Sequence, residues 1–109
     1  MVTITIYENQ NKEYTAFRCM GHAEYAVLGE DIVCAAVSVL VINTINSVEH
    51  LVSDKFELAT DQESGLIDFS LQEGYSKESL LLIRSLVLGL QGIQKNYGTE
   101  YIMLKFEEV

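Results

Sequence analysis

At 109 residues the chain has room for one domain, spanning 1–109, and a domain of that size buries roughly two-thirds of its unfolded surface without metal or disulfide staples. A hydrophobic share of 49% argues against disorder. Seven basic against sixteen acidic residues leave a net charge of −9, which counts against direct binding of nucleic acid and favours basic proteins or peptides as partners.

The elements follow in chain order. Val2, Ile4 and Ile6 alternate with Thr3, Thr5 and Tyr7, which is strand periodicity. Asn9-Gln10-Asn11 signals a turn, and Tyr14 to Met20 reads as a second strand with Phe17 and Cys19 on one face, so the first two strands form a hairpin. Gly21 to Glu30 has two glycines and no clean period and reads as a loop. Asp31 then stands as an N-cap before a helix ending near Leu51, with Val33, Val37, Leu40, Val41, Thr44, Ile45 and Val48 on its buried stripe. Its first half is apolar on nearly every side, which predicts the more buried of the two helices. Its longest apolar run, Val33 to Ile42, is shorter than the ~20 residues of a membrane span.

Phe56, Leu58 and Thr60 alternate, Asp61 to Gly65 turns, and Ile67, Phe69 and Leu71 alternate again, giving a second hairpin. Ser76 caps a second helix whose stripe is Ile83, Leu86, Val87, Leu90, Ile93 and Tyr97, with Gly98 as its stop. Gly89 and Gly92 cost that helix stability and permit a close helix approach. Ile102, Leu104 and Phe106 mark a last strand. The order ββαββαβ predicts an α+β domain with two helices packed on a largely antiparallel sheet.

Two residues stand out for chemistry. With Asp31 as N-cap, Cys34 is the third residue of the helix, where unpaired N–H groups and the positive helix end favour a thiolate. The alternative is a small apolar core residue. His22 closes the second strand beside the Gly-flanked loop, where an imidazole can serve as general base. A thiol and an imidazole together form an ion pair that attacks carbonyl carbon. His50 lies sixteen residues beyond Cys34 on the same predicted helix, about 24 Å away, so it cannot be the base. That distance also breaks a zinc site built from Cys19, His22, Cys34 and His50, and no metal or other cofactor is expected. Cys19 reads as structural. Ser38, one turn after Cys34, either hydrogen-bonds near the sulfur or bonds its own backbone. Glu57, Asp61, Glu63, Asp68, Glu107 and Glu108 read as solvated surface.

The stretch Gly21-His22-Ala23, then Gly29-Glu30-Asp31-Ile32-Val33-Cys34-Ala35-Ala36-Val37-Ser38, resembles the ribosomal-processing cysteine protease family, Prp. Two glycines, a His, an Asp and a Cys recur at fixed intervals over eighteen residues, and length and element order agree along nearly the whole chain. The resemblance implies a cysteine endopeptidase that removes a short N-terminal extension from the twenty-seventh large-subunit ribosomal protein. It gives Cys34 as nucleophile, His22 as base, and supporting roles to Gly21, Asp31 and Ser38. It also implies a homodimer and a loop that folds over substrate, here with Ala23, Glu24, Tyr25, Leu28 and Gly29. A basic ribosomal protein is the partner it implies; the Met1–Tyr7 start without a targeting pattern, the short apolar run and the acidic charge separately lead us to expect a cytoplasmic location with no membrane or nucleic acid contacted directly. A non-catalytic dimeric assembly module and another thiol hydrolase are the alternatives.

Overall fold

A computed structural model describes the backbone of residues 1–21 and 28–109, and the side chains of 1–21 and 32–109. Its elements are β1 (Val2–Glu8), β2 (Tyr14–Met20), α1 (Leu28–Leu51), β3 (Phe56–Asp61), β4 (Leu66–Leu71), α2 (Lys77–Tyr97) and β5 (Ile102–Glu108). The predicted ββαββαβ order stands. The five strands form one sheet in the order β3-β4-β2-β1-β5. Three neighbouring pairs are antiparallel, and β5 joins β1 in parallel after the crossover through α2.

The alternation read from the strands sorts their two faces. Val2, Ile4, Ile6, Phe17, Cys19, Phe69, Leu71 and Ile102 are buried, and both helices add to the same core. Phe69 stacks between Phe17 and Phe56, with ring centroids 4.9 and 5.0 Å apart. On the opposite face Arg18 meets its register partner Asp68 at 2.8 Å. Asp68 is therefore tied across the sheet rather than simply solvated, and the pair lies on a wet face where such bridges contribute little.

The first turn folds as its composition requires. The Asn9 side-chain carbonyl accepts from the N–H groups of Asn11 and Glu13, an Asx turn. Its amide donates to Glu13 and to the Tyr75 hydroxyl, and Tyr75 donates to Glu13 at 2.7 Å. This small cluster ties the β1–β2 turn to the segment before α2.

The two helices depart from expectation in instructive ways. The predicted stripe of α1 is buried except Leu40, which is partly covered. Yet Ile32 is 48% exposed, Val39 67% and Ile42 49%, so its all-round apolar character does not make α1 wholly buried. One side of α1 packs on the sheet and α2, and no described element lies over the other. Its Ile32–Leu51 portion is long and apolar enough to cross a membrane by length and composition alone, a length that the shorter Val33 to Ile42 run understates. In the fold its inner face belongs to the core. The close helix approach occurs at Gly89, where a Cβ would lie 2.8 Å from Leu40 Cδ1; Gly92 faces open space.

Ser76 caps α2 as expected, with φ −93° and ψ 169° and its side chain accepting from the Ser79 N–H. A second acceptor was not legible in the local sequence. Asp54 Oδ2 accepts from the Ser76 N–H at 2.6 Å, the Ser76 hydroxyl at 2.7 Å and the buried Ser79 hydroxyl at 2.6 Å. These bonds, the one from Ser79 first, hold the Asp54 pKa below its ordinary 3.8. A depressed carboxylate contributes stability that is complete above its unfolded-state pKa and is lost as pH falls through the folded-state value. We therefore expect Asp54→Asn to cost about 1 kcal/mol at neutral pH. The variant's denaturation midpoint should also change less than the parent's as pH drops below about 4; identical acid limbs in urea titrations would refute the assignment.

Candidate active site

β2 ends at Met20, and the chain leaves it through Gly21, whose φ is +91°. A Cβ at that position would lie 2.6 Å from the Met1 carbonyl oxygen. Glycine is thus required twice, by a left-handed backbone and by close approach to the N-terminal segment. His22, Ala23, Glu24 and Tyr25 lie outside the described residues.

The helix start corrects three expectations. α1 begins at Leu28, so Asp31 is its fourth residue and not its N-cap. Leu28 and Gly29 belong to the first helical turn and not to the loop. Cys34 lies six residues past Leu28, about 9 Å along the axis, and so falls beyond the orphan N–H groups that end at the fourth residue. The helix field falls off within the first turn. The position of Cys34 therefore does not supply the thiol activation that an N-cap at Asp31 implied, nor is its own N–H an orphan donor for an oxyanion. A glycine one residue into the helix hides the start from a reading based on propensity.

Cys34 is half-buried and packs against the core at its edge. It is neither sealed in the interior nor fully exposed. Cys19, on β2 beneath it, is wholly buried. Burial, with a smaller contribution from the neighbouring Cys34, pushes the Cys19 thiol up to about 12. No disulfide joins the two. Cys19 is therefore held protonated and inert at neutral pH, which suits the structural role read from its strand position. Iodoacetamide is expected to label Cys34 in the native protein and to reach Cys19 only after unfolding, as peptide mass mapping would show. His50 stands in the last turn of α1, exposed and 3.4 Å from Glu49, far from Cys34 as predicted.

Ser38 follows Cys34 by one turn and lines a cavity of about 500 Å³ between α1 and the β3–β4 hairpin. The other walls include Ile42, Leu58, Thr60, Asp61 and Ile67. In the sequence Leu58, Thr60 and Ile67 mark only strand faces and Asp61 solvated surface, and none was read as part of a site. They come from α1 and from the β3–β4 hairpin that follows it, and the only local signal they carry is strand or helix alternation.

Comparison with known proteins places this arrangement. The sequence profile of the cysteine protease Prp family matches residues 1–102. The ribosomal processing cysteine protease Prp of Bacillus subtilis is 30% identical over 101 residues, covering 89% of this chain and 90% of its own. The protein of the same name from Staphylococcus aureus is 27% identical over 107 residues, covering 98% and 100%. Among solved structures, the essential ribosomal processing protease Prp from S. aureus in complex with a substrate peptide superposes with a TM-score of 0.91 at 26% identity, over 98% of this chain and 100% of that one. SMU.848 from Streptococcus mutans superposes at 0.89 and 26% identity, over 100% and 96%. With its mixed five-stranded sheet, its paired helices and a cysteine at the edge of the core, this chain belongs to the Prp family of cysteine proteases.

Proposed function

We propose that the protein removes the short N-terminal extension of the twenty-seventh large-subunit ribosomal protein, with Cys34 as nucleophile and His22 as general base and acid in one protease domain spanning 1–109. The observation that carries this reading is the placement of Cys34: half-buried and packed against the core beside Cys19, close to the end of β2. His22 follows Cys19 by three residues, so the chain keeps its Cα within about 11 Å of that of Cys19. An imidazole tethered this close has the reach to share a proton with the sulfur.

The chemistry runs in two steps. His22 takes the thiol proton as the sulfur attacks the scissile carbonyl carbon, then gives that proton to the leaving amine as the C–N bond breaks. A thioester to Cys34 remains. Water, deprotonated by His22, attacks the thioester; the C–S bond breaks and the proton returns to the sulfur. Because Cys34 lies past the first helical turn, its activation falls to the imidazole rather than to the helix field. Gly21 sets the exit from β2 that leads to His22. Asp31 and Ser38 act in support, and Ala23, Glu24 and Tyr25 contact the peptide. The net charge of −9 attracts a basic ribosomal protein and is repelled by ribosomal RNA, so cleavage acts on the free protein before assembly, in the cytoplasm. The enzyme works as a homodimer. Val39 and Leu88, 67% and 72% exposed, provide apolar surface that a second copy could cover.

The test mixes the protein with a synthetic peptide spanning the extension and its junction and follows product mass, then compares the free ribosomal protein with assembled large subunits. We expect one cut in the peptide and faster cutting of the free protein. An intact peptide would remove the substrate assignment; equal rates would remove the order of events.

A further inference from the structure

We infer that the outer stripe of α2, with Tyr14 beside it, is a docking groove for an acidic amphipathic helix of a partner protein. The inference is independent of the protease reading and adds a contact with a protein other than the substrate.

Spacing and exposure define the stripe. Lys77, Leu81, Arg84, Leu88, Gln91 and Lys95 recur at alternating steps of four and three, the spacing of a coiled-coil seam. All six are exposed, with Leu81 at 61% and Leu88 at 72%. The buried side of α2 is made by other residues, Ile83, Leu86, Val87 and Leu90 among them, so packing inside the domain does not account for the stripe. It runs about 27 Å from Lys77 to Lys95. Two hollows of about 470 and 280 Å³ lie along its first half, and Tyr14, Leu81 and Arg84 line both. The Tyr14 ring meets that of Phe106 with centroids 5.9 Å apart. An aromatic wall and two leucines thus border one groove.

Charge selects the occupant. The chain has seven cations in a net charge of −9, yet three of the seven, Lys77, Arg84 and Lys95, stand on this stripe. The one acidic residue of α2 is Glu78, which lies off the stripe in the first turn. Among the described residues, none forms an ion pair or hydrogen bond with the side chain of Lys77, Arg84 or Lys95. Glu13 lines the smaller hollow, but its Oε1 already accepts from the Asn9 amide and the Tyr75 hydroxyl. Unpaired cations between exposed leucines match a helix with leucines on its seam and carboxylates beside them. A basic segment such as the proposed substrate is repelled here. A second copy is also the wrong match, because two α2 helices laid antiparallel along the stripe set Lys77 against Lys95 at both ends. Self-association then falls to the Val39 side of α1. Three cations on so acidic a chain suit a nucleic acid backbone poorly. The groove is also remote from the cleavage chemistry. Tyr14 opens β2 and Met20 closes it, about 20 Å away, so the groove lies at the end of the strand away from Gly21.

The experiment measures fluorescence anisotropy of a labelled peptide of three heptads, with Leu at both seam positions and Glu at the flanking ones, and of a copy with every Glu changed to Gln. The proteins are the parent, Arg84→Glu, Leu81→Asn and, as a distant control, Leu51→Asn at the end of α1. Sedimentation velocity of each protein and anisotropy of a labelled single-stranded RNA are measured in parallel. We expect the Glu peptide to bind the parent and the Gln copy to bind it about tenfold more weakly. Arg84→Glu and Leu81→Asn should each weaken binding of the Glu peptide about tenfold, and Leu51→Asn should match the parent. No saturable binding, equal binding of the two peptides, or unchanged binding by both stripe variants would overturn the groove. A drop in the sedimentation coefficient of Arg84→Glu would overturn it in favour of a second copy, and RNA binding that disappears in Arg84→Glu would overturn it in favour of nucleic acid. Both substitutions fall on exposed side chains, and two of them cover the case in which one does not fold.

Discussion

Cys34→Ala is expected to abolish cleavage of the junction peptide, with a fall in kcat of at least about 10⁴-fold and no change in melting temperature beyond about 2 °C. The sulfur packs at the edge of the core and is half-buried, so its replacement by a methyl group leaves Val33, Val37 and Val41 in place. The variant should still bind the peptide, because the substitution removes only the sulfur. Residual turnover within tenfold of the parent would show that another group performs the attack. The obvious rival thiol is Cys19, and its burial with a pKa near 12 argues against it.

His22→Ala should lower kcat by about 10²- to 10⁴-fold, the range for loss of a positioned general base. The physical case is sharper than a motif match. With Cys34 past the first turn of α1, the helix end no longer accounts for an activated thiol, and the proton must go to a neighbour. Loss of His22 should therefore alter the pH–rate profile, not only its height: the limb that reports imidazole titration disappears. A profile of unchanged shape, read by stopped assays from pH 5 to 9, would take His22 out of the proton transfer.

Local patterning foretold most of the architecture. Alternation at Val2, Ile4 and Ile6, and at Phe17 and Cys19, marked strand faces that are indeed buried. Spacing at Val33, Val37 and Val41 gave the inner face of α1, and Ser76 and Gly98 gave both ends of α2. Such features are set by residues within four positions of one another, and a linear string displays them directly. The beginning of α1 escaped for an equally local reason: Gly29 resembles a loop residue, while the helix that includes it is held by the packing of everything after Ile32.

Cys34 and His22 could be put forward together from type and spacing, because the Prp-like stretch from Gly21 to Ser38 is contiguous in the chain. What surrounds Cys34 could not. That β4 lies beside β2, that Ile67 and Thr60 share a row with Cys19, that Asp54 reaches Ser76 and Ser79, and that α1 leaves Val39 uncovered all depend on strand order and on the placing of both helices over one face. Those relations join residues tens of positions apart through the sum of many weak packing terms, and no single stretch of chain carries enough of that sum to announce them.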